Sequence, residues 1–499
     1  MSAINVEAEC GAPEKARACV LLVGMFDKVK KSLLDLKGLD LAVKGAISHV
    51  TGAGDFGGKA QQFVWIYSKG TPFSRLLLMG LGEEKKFGPE VYRRACGFAA
   101  REARKAKSKS LAVILPDSVG GASAQELAGA AVEGLMMGGY RFTPYKSKND
   151  ESGGIASITV RIRDKKGLEA VRKAAMRGKI IAESVNLARD MVNTPANDMP
   201  PEAIAARAQR LAKAYGFSCK TLGVPELKKL KMNAILAVGA GSKRPPRLVA
   251  LEYGGGAQGK NPPIVLVGKG IAFDSGGISL KPPGDMERMK DDMSGAAAVL
   301  AAVVAAARLK LKKRIVGLLA CAENLPDAAA YRPGDVIRTA SGVTVEIIST
   351  DAEGRMVLCD ALHYARRFTP RAVVDVATLT GAAVIALGYE AMGLMGNDDN
   401  LRAALHKAGD ECGERCWPLP LWEEYDELLH SEVADLKNVG GRPAGTIVGG
   451  MFLKRFVKGL KWAHLDIASV AWSEREWAYK IKGPTGAGVR ILTNFVEKF

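Results

Sequence analysis

The stretch Ser349-Thr-Asp-Ala-Glu-Gly-Arg355 decides how the rest of the chain is read. It sets Asp351, Glu353 and Arg355 at alternate positions, separated by Ala352 and Gly354. In an extended segment alternate side chains share a face, so the three charges are expected to point the same way. Before it, Val343-Thr-Val-Glu-Ile-Ile-Ser349 is rich in β-branched residues and reads as a strand. After it, Met356 to Arg367 carries apolar residues at helical spacing. The charged run is therefore expected in a loop at the carboxyl end of a strand, where open α/β sheets hold their ligands. Taken alone, the same residues also fit a surface loop with a local salt bridge.

The neighbouring chain favours a site. The stretch Val267-Gly-Lys-Gly-Ile-Ala-Phe-Asp-Ser-Gly-Gly-Ile-Ser-Leu-Lys281 follows another strand-like run, Ile264-Val-Leu-Val267. Next, Met289-Lys-Asp-Asp-Met-Ser-Gly295 leads into an Ala-rich helix over 295–310, and Val376-Ala-Thr-Leu-Thr-Gly381 forms a third strand-loop-helix junction. Together these bring Lys269, Asp274, Asp292, Asp351 and Glu353 toward one region. Gathered carboxylates repel; a pair about 4 Å apart costs about 4 kcal/mol at an effective dielectric of about 20. Two divalent metal ions would balance four carboxylates by charge. The five histidines show no HExxH-like grouping, and the eight cysteines are scattered, Cys412 and Cys416 being the closest pair. A metal site must then rest on carboxylates. Such oxygen-rich ligands suit zinc in a dinuclear site, manganese or magnesium.

The rest of the chain fits an α/β protein of more than one domain. Residues 1–167 read as a smaller N-terminal α/β domain with strands at Val64–Tyr67, Arg75–Met79 and Leu111–Leu115 and a basic helix at Val91–Ala106. It ends near the polar loop Tyr145–Gly154. Residues 168–192 read as a linker helix of about 36 Å, stopped by Pro195, Pro200 and Pro201. Residues 193–499 alternate strand and helix, as a mixed, largely parallel sheet flanked by helices does. Its strands are expected at Ala234–Val238, Leu248–Leu251, Ile264–Val267, Ile315–Leu319, Val373–Val376 and His464–Ile467, with helices at 202–215, 295–310 and 356–367.

Residues 269–295, 349–355 and 376–382 resemble the leucyl aminopeptidase (cytosol aminopeptidase) family. The likeness extends to Val238–Arg247 and Gly483–Arg490, so it covers the carboxyl-terminal 300 or so residues. It implies a metal-dependent aminopeptidase holding two divalent ions, zinc or manganese, with bicarbonate as general base. Asp274 and Glu353 would bridge the metals, Asp351 would complete one site, and Lys269 and Asp292 the other. Lysine ligates only as a neutral amine, so its pKa would have to fall. Lys281 would hold the oxyanion and Arg355 the bicarbonate. Thr378, Leu379 and Gly381 would contact the substrate backbone, and Met289 would line an apolar pocket favouring Leu-type residues. Peptide substrates, a homohexamer and a cytoplasmic location are implied as well. The chain departs from the family where Ser349 replaces Asn and where Asp291 adds a carboxylate beside Asp292.

The formal net charge of +18 allows acidic partners, and DNA binding through the basic helix is a rival expectation. A solvated basic surface explains the same charge. Gly239-Ala-Gly-Ser-Lys243 hints at a phosphate loop but lacks the full spacing. His464 reads as structural. The first residues show no secretory pattern, and no apolar run is long enough for a bilayer, so no membrane association is expected.

Overall fold

The computed structural model describes residues 4–27, 36–116, 121–147, 154–254 and 261–499. Residues 148–153 of the polar loop expected at Tyr145–Gly154 lie outside them. The chain forms two compact units, one of residues 1–186 with 475–482, the other of 187–474 with 483–499.

The first unit is built on a six-stranded sheet of β1 Asn5–Cys10, β2 Ala18–Phe26, β3 Phe63–Tyr67, β4 Phe73–Gly82, β5 Ser110–Ile114 and β6 Ser157–Ile162. The order is β1-β6-β5-β2-β4-β3, and only β3 runs against its neighbour. Central strands buried on both faces show unbroken apolar runs; Leu76, Leu77, Leu78 and Met79 are fully buried. The expected basic helix spans Pro89–Lys105, with Pro89 in its first turn, where a missing N–H is harmless. It packs closely on the helix Ala124–Gly138 through glycines: a Cβ on Gly138 would lie 2.4 Å from the Gly97 carbonyl oxygen. Its cations are paired. Arg93 is buried between Glu90 and Glu133, Arg94 bonds Glu90, Arg101 and Arg104 reach Glu476, and Lys105 bonds Glu102.

The helix Leu168–Asn193 gives its earlier residues to the first unit and its last to the second. The second unit carries β7 Ser218–Leu222, β8 Arg247–Tyr253, β9 Ile264–Asp274, β10 Ile315–Asn324, β11 Val336–Arg338, β12 Thr344–Glu346, β13 Ala372–Ala377, β14 Met392–Gly396, β15 Cys416–Pro418, β16 Leu436–Lys437 and β17 Trp462–Asp466. Eight of these form one sheet in the order β15-β14-β17-β13-β9-β10-β8-β7. The four central strands β17, β13, β9 and β10 are parallel, while β14, β8 and β7 pair antiparallel with their inner neighbours. Strand β9 has β10 on one side and β13 on the other. The chain steps from β9 to β10 on one side and then returns past β9 to β13 on the other, a reversal that opens a crevice at the carboxyl ends of these strands. The helix Ser294–Arg308 lies against these strands with all but its last residue buried. Small residues set the spacing: a Cβ on Gly295 would meet the Val376 carbonyl oxygen at 2.1 Å.

Three expectations need correction. Ala234–Val238 is not a strand but part of the helix Asn233–Val238. The buried Asp360 carboxylate accepts the N–H groups of Ala234 and Ile235, capping that helix from 126 residues away. The run Val343–Ser349 keeps only the three residues of β12, which lies in a small separate sheet with β11 and β16. Lastly, Asp351, Glu353 and Arg355 do not share one face, because a helix begins at Glu353.

Candidate metal centre and active site

The carboxyl ends of the central strands position the expected residues. Strand β9 runs on to Asp274 and so carries both Lys269 and Asp274. Asp292 comes from the 3-10 helix Met286–Met293, and Glu353 opens the helix Glu353–Ala365. Lys269 Nζ lies 2.7 Å from Asp292 Oδ1, 2.7 Å from Glu353 Oε1 and 2.8 Å from the Thr378 carbonyl oxygen. Room for it depends on Gly354, where a Cβ would stand 2.6 Å from Nζ. A second ammonium, Lys281 Nζ, lies 2.9 Å from Asp274 Oδ2 and 2.5 Å from Asp351 Oδ1. Lys269 is sealed, with a side chain 3% exposed, whereas that of Lys281 is 22% exposed. Of these two ammoniums, Lys281 is the one open to an incoming molecule.

The donor set fits metal ions. One oxygen each from Asp274, Asp351 and Glu353 lies within 4.8 Å of the others. Asp292 Oδ2 and Glu353 Oε2 are buried with no hydrogen-bond partner. A buried carboxylate oxygen is expensive unless a donor or cation meets it. Titration shifts express the same strain. Burial and the Glu353 charge push the Asp274 carboxyl up to about 6, against the pull of Lys281 and Lys269. Burial pushes Asp291 up to about 7 and raises Asp292 as well. Burial would also raise Glu353, but Lys269 and Lys281 outweigh it and hold it low. Burial opposes the charge on Lys269, yet Asp292, Glu353 and Asp274 hold its pKa above the usual lysine range. The ammonium is thus the stable form beside bare carboxylates; a cation that neutralised them would remove the cause.

Strand and loop rigidity come from residues that the sequence pattern did not single out. Asn324, at the end of β10, donates to Asp274 Oδ1 at 2.8 Å and to the Thr350 carbonyl at 2.9 Å. Thr350 Oγ1 donates to the Gly276 carbonyl at 2.6 Å. Ser349 Oγ accepts the Asp351 N–H at 3.2 Å, so serine supplies a turn bond of its own. Asn438 brackets the same turn, accepting from Ile348 N and donating to Ser349 O. A polar residue at the end of an apolar strand was the available signal for Asn324.

Arg355 makes its hydrogen bond outside the carboxylate cluster. Its Nη1 donates to the Asn438 carbonyl at 2.7 Å, while Nε is buried without a partner. Burial lowers its pKa to about 10, Glu353 and Asp466 resisting. In the loop after β13, Thr378 Oγ1 donates to Asp292 Oδ1 at 2.8 Å, Leu379 N donates to Asp466 Oδ1 at 3.1 Å, and Gly381 leads into the helix Ala382–Leu387. Met289 is half-buried on the same 3-10 helix as Asp292. His464 is fully buried, its Nδ1 2.5 Å from Asp375 Oδ1. All eight cysteines are free thiols, and no described helix is long and apolar enough to cross a membrane.

Comparison with known proteins agrees with this arrangement. Residues 186–493 match the catalytic domain of the cytosol aminopeptidase family, and residues 22–149 match its N-terminal domain. A Geotalea uraniireducens protein named "Probable cytosol aminopeptidase" is 44% identical over 488 residues, 97% of this chain and 98% of the relative. One of the same name from Syntrophotalea carbinolica is 44% identical over 483 residues, 96% of this chain and 97% of the relative. Among solved structures, a tomato leucine aminopeptidase mutant superposes with a TM-score of 0.90 at 31% identity, covering 100% of this chain and 97% of that one. A bottromycin maturation enzyme in complex with manganese gives 0.85 at 37% identity, covering 96% and 99%. The chain therefore belongs to the cytosol aminopeptidase family of metal-dependent peptidases.

Proposed function

We propose that this protein releases amino-terminal residues, preferably bulky apolar ones, from short peptides, using two divalent ions of zinc or manganese. The observation that carries the reading is the pair of partnerless buried oxygens, Asp292 Oδ2 and Glu353 Oε2, beside the converging Asp274 and Asp351. Asp274, Asp292, Asp351, Glu353 and the deprotonated Lys269 amine would hold the ions. When bound, such ions polarise a peptide carbonyl and make water a nucleophile near neutral pH. Lys281, the partly exposed ammonium, donates to the oxygen where negative charge develops. Arg355, with a buried and partnerless Nε, would hold a small anion such as bicarbonate, which would supply a general base. The Thr378–Gly381 loop aligns the substrate backbone, and Met289 offers an apolar wall. Each methylene buried there contributes about 0.8 kcal/mol, so leucine is favoured over alanine.

The free amine is part of recognition, because a neutral nitrogen can join the carboxylate-held ions whereas an acetamide nitrogen has its lone pair delocalised. The test is leucyl-peptide against acetyl-leucyl-peptide at equal concentration with manganese-loaded protein. Cleavage of the first alone is expected; comparable rates would replace this reading by an endopeptidase or amidase. Assembly into a hexamer would cover exposed apolar side chains such as Ile385, Trp417 and Trp422, and sedimentation equilibrium measures it directly.

A further inference from the structure

We infer that Asp466 is a positioning residue for substrate binding, acting through the Thr378–Gly381 loop. The inference rests on the reading of that loop as the segment that aligns the peptide. Asp466 ends β17 and is fully buried. A buried carboxylate in an otherwise apolar strand is costly unless its oxygens are satisfied, and here both are. Oδ1 accepts the Leu379 N–H at 3.1 Å and the Ala468 N–H at 3.2 Å. Oδ2 accepts the Thr380 hydroxyl at 2.7 Å. Thr380 Oγ1 also lies 3.0 Å from Thr446 Oγ1. Since the single Thr380 proton goes to the carboxylate, the Thr446 hydroxyl donates to Thr380, and the chain of bonds has one direction.

The other end of the loop is tied to the ligand cluster. The Thr378 carbonyl accepts from Lys269 Nζ and its hydroxyl donates to Asp292 Oδ1. Three consecutive residues are thus held from two sides, Thr378 by the cluster, Leu379 and Thr380 by Asp466. Arg355, on the helix Glu353–Ala365, interacts electrostatically with Asp466, and His464 sits two residues earlier on the same face of β17. His464 is itself fixed by Asp375, whose other oxygen accepts the Trp462 indole N–H at 2.6 Å. That pairing locks β17 to β13, the strand from which the loop departs. Among the described residues, Asp466 is hydrogen-bonded to the loop and to Ala468, not to the cluster carboxylates or Lys281. Its loss should therefore act first on the loop, with a smaller effect on turnover through its electrostatic link to Arg355.

The test compares Asp466→Asn, Thr380→Val and Thr380→Ser with the parent, each as full-length manganese-loaded protein. Hydrogen exchange of the segment containing Leu379, metal content, and KM and kcat for a leucyl peptide are measured together. Asparagine keeps one acceptor oxygen but not the charge, and a charge-assisted hydrogen bond is about twice as strong as a neutral one, so Leu379 exchange should speed by about tenfold in Asp466→Asn. KM should rise by about tenfold in Asp466→Asn and Thr380→Val, with kcat falling less than about threefold. Metal content should hold, and Thr380→Ser, which keeps the hydroxyl, should recover most of the loss. Unchanged exchange and KM in Asp466→Asn and Thr380→Val would overturn the inference. So would loss of metal together with kcat, because Asp466 would then support the ligands and not the substrate. A parent protein inactive on leucyl peptides would remove the peptidase reading and the claim about substrate, while exchange would still judge the clamp on its own.

Discussion

Gly354→Ala is the most informative single change at the metal cluster. Gly354 stands in the first turn of the helix Glu353–Ala365, so alanine is conformationally suitable and would by propensity add about 0.8–1.0 kcal/mol of stability. The space is what forbids it. A Cβ there would lie 2.6 Å from both Nζ and Cε of Lys269 and 2.8 Å from Cδ. Reaching an ordinary contact of about 3.4 Å requires a shift of about 0.8 Å. Lys269 has little freedom to give, since it is sealed and held by Asp292, Glu353 and the Thr378 carbonyl at 2.7–2.8 Å. A displacement of that size lengthens those contacts beyond hydrogen-bond range. Overpacking of this kind costs about 1–3 kcal/mol, so the net change in stability should be small, between roughly zero and 2 kcal/mol destabilising. The functional change should be larger, because altering a group that positions a ligand typically costs about 10- to 100-fold in metal affinity or activity. Calorimetric manganese titration, urea unfolding and leucyl-peptide turnover would be run on both proteins. Parental manganese affinity and turnover in Gly354→Ala would refute the view that Lys269 is packed into a fixed ligand position.

Other outcomes follow from the same geometry. Lys281→Ala should keep its metal and lose about 100- to 1000-fold in kcat, since one donor to developing charge is removed; elemental analysis and steady-state kinetics check this together. Arg355→Ala should also retain metal, with a milder loss that added bicarbonate partly restores; stoichiometric metal loss in either variant would contradict the assigned roles. Asp360→Ala should destabilise the fold by about 3 kcal/mol or more, because three backbone N–H groups, of Ala234, Ile235 and Ala340, lose their acceptor; urea midpoints measure it. Metal uptake should release protons and tighten as pH rises, first through about 6, where Asp274 loses its proton in the metal-free protein, and further above that because Lys269 must give up a proton held above the usual lysine range. Calorimetry in two buffers of different ionisation enthalpy reads that release directly.

Residue chemistry was legible from the sequence alone. Ligand-type side chains are covalent facts, and the carboxylates and lysines at 269, 274, 281, 292, 351 and 353 do converge. The long periodic elements were legible too. The buried central strands and the helices at Pro201–Tyr215 and Ser294–Arg308 each carry enough residues for periodicity to report burial. Direction was not legible. Alternation placed Asp351, Glu353 and Arg355 on one face, but a helix starting at Glu353 sends Glu353 to Lys269 and Arg355 to Asn438. Ala234–Val238 has a strand's composition and a helix's conformation, because a six-residue segment follows its cap and the cap is Asp360. Asn324, Asn438 and Asp466 gain their meaning from partners 26 to 90 residues away. Local pattern records which residues are to be buried. Which buried charge meets which, and therefore where a cation or a peptide can sit, is set by distance in space, and only the tertiary structure supplies it.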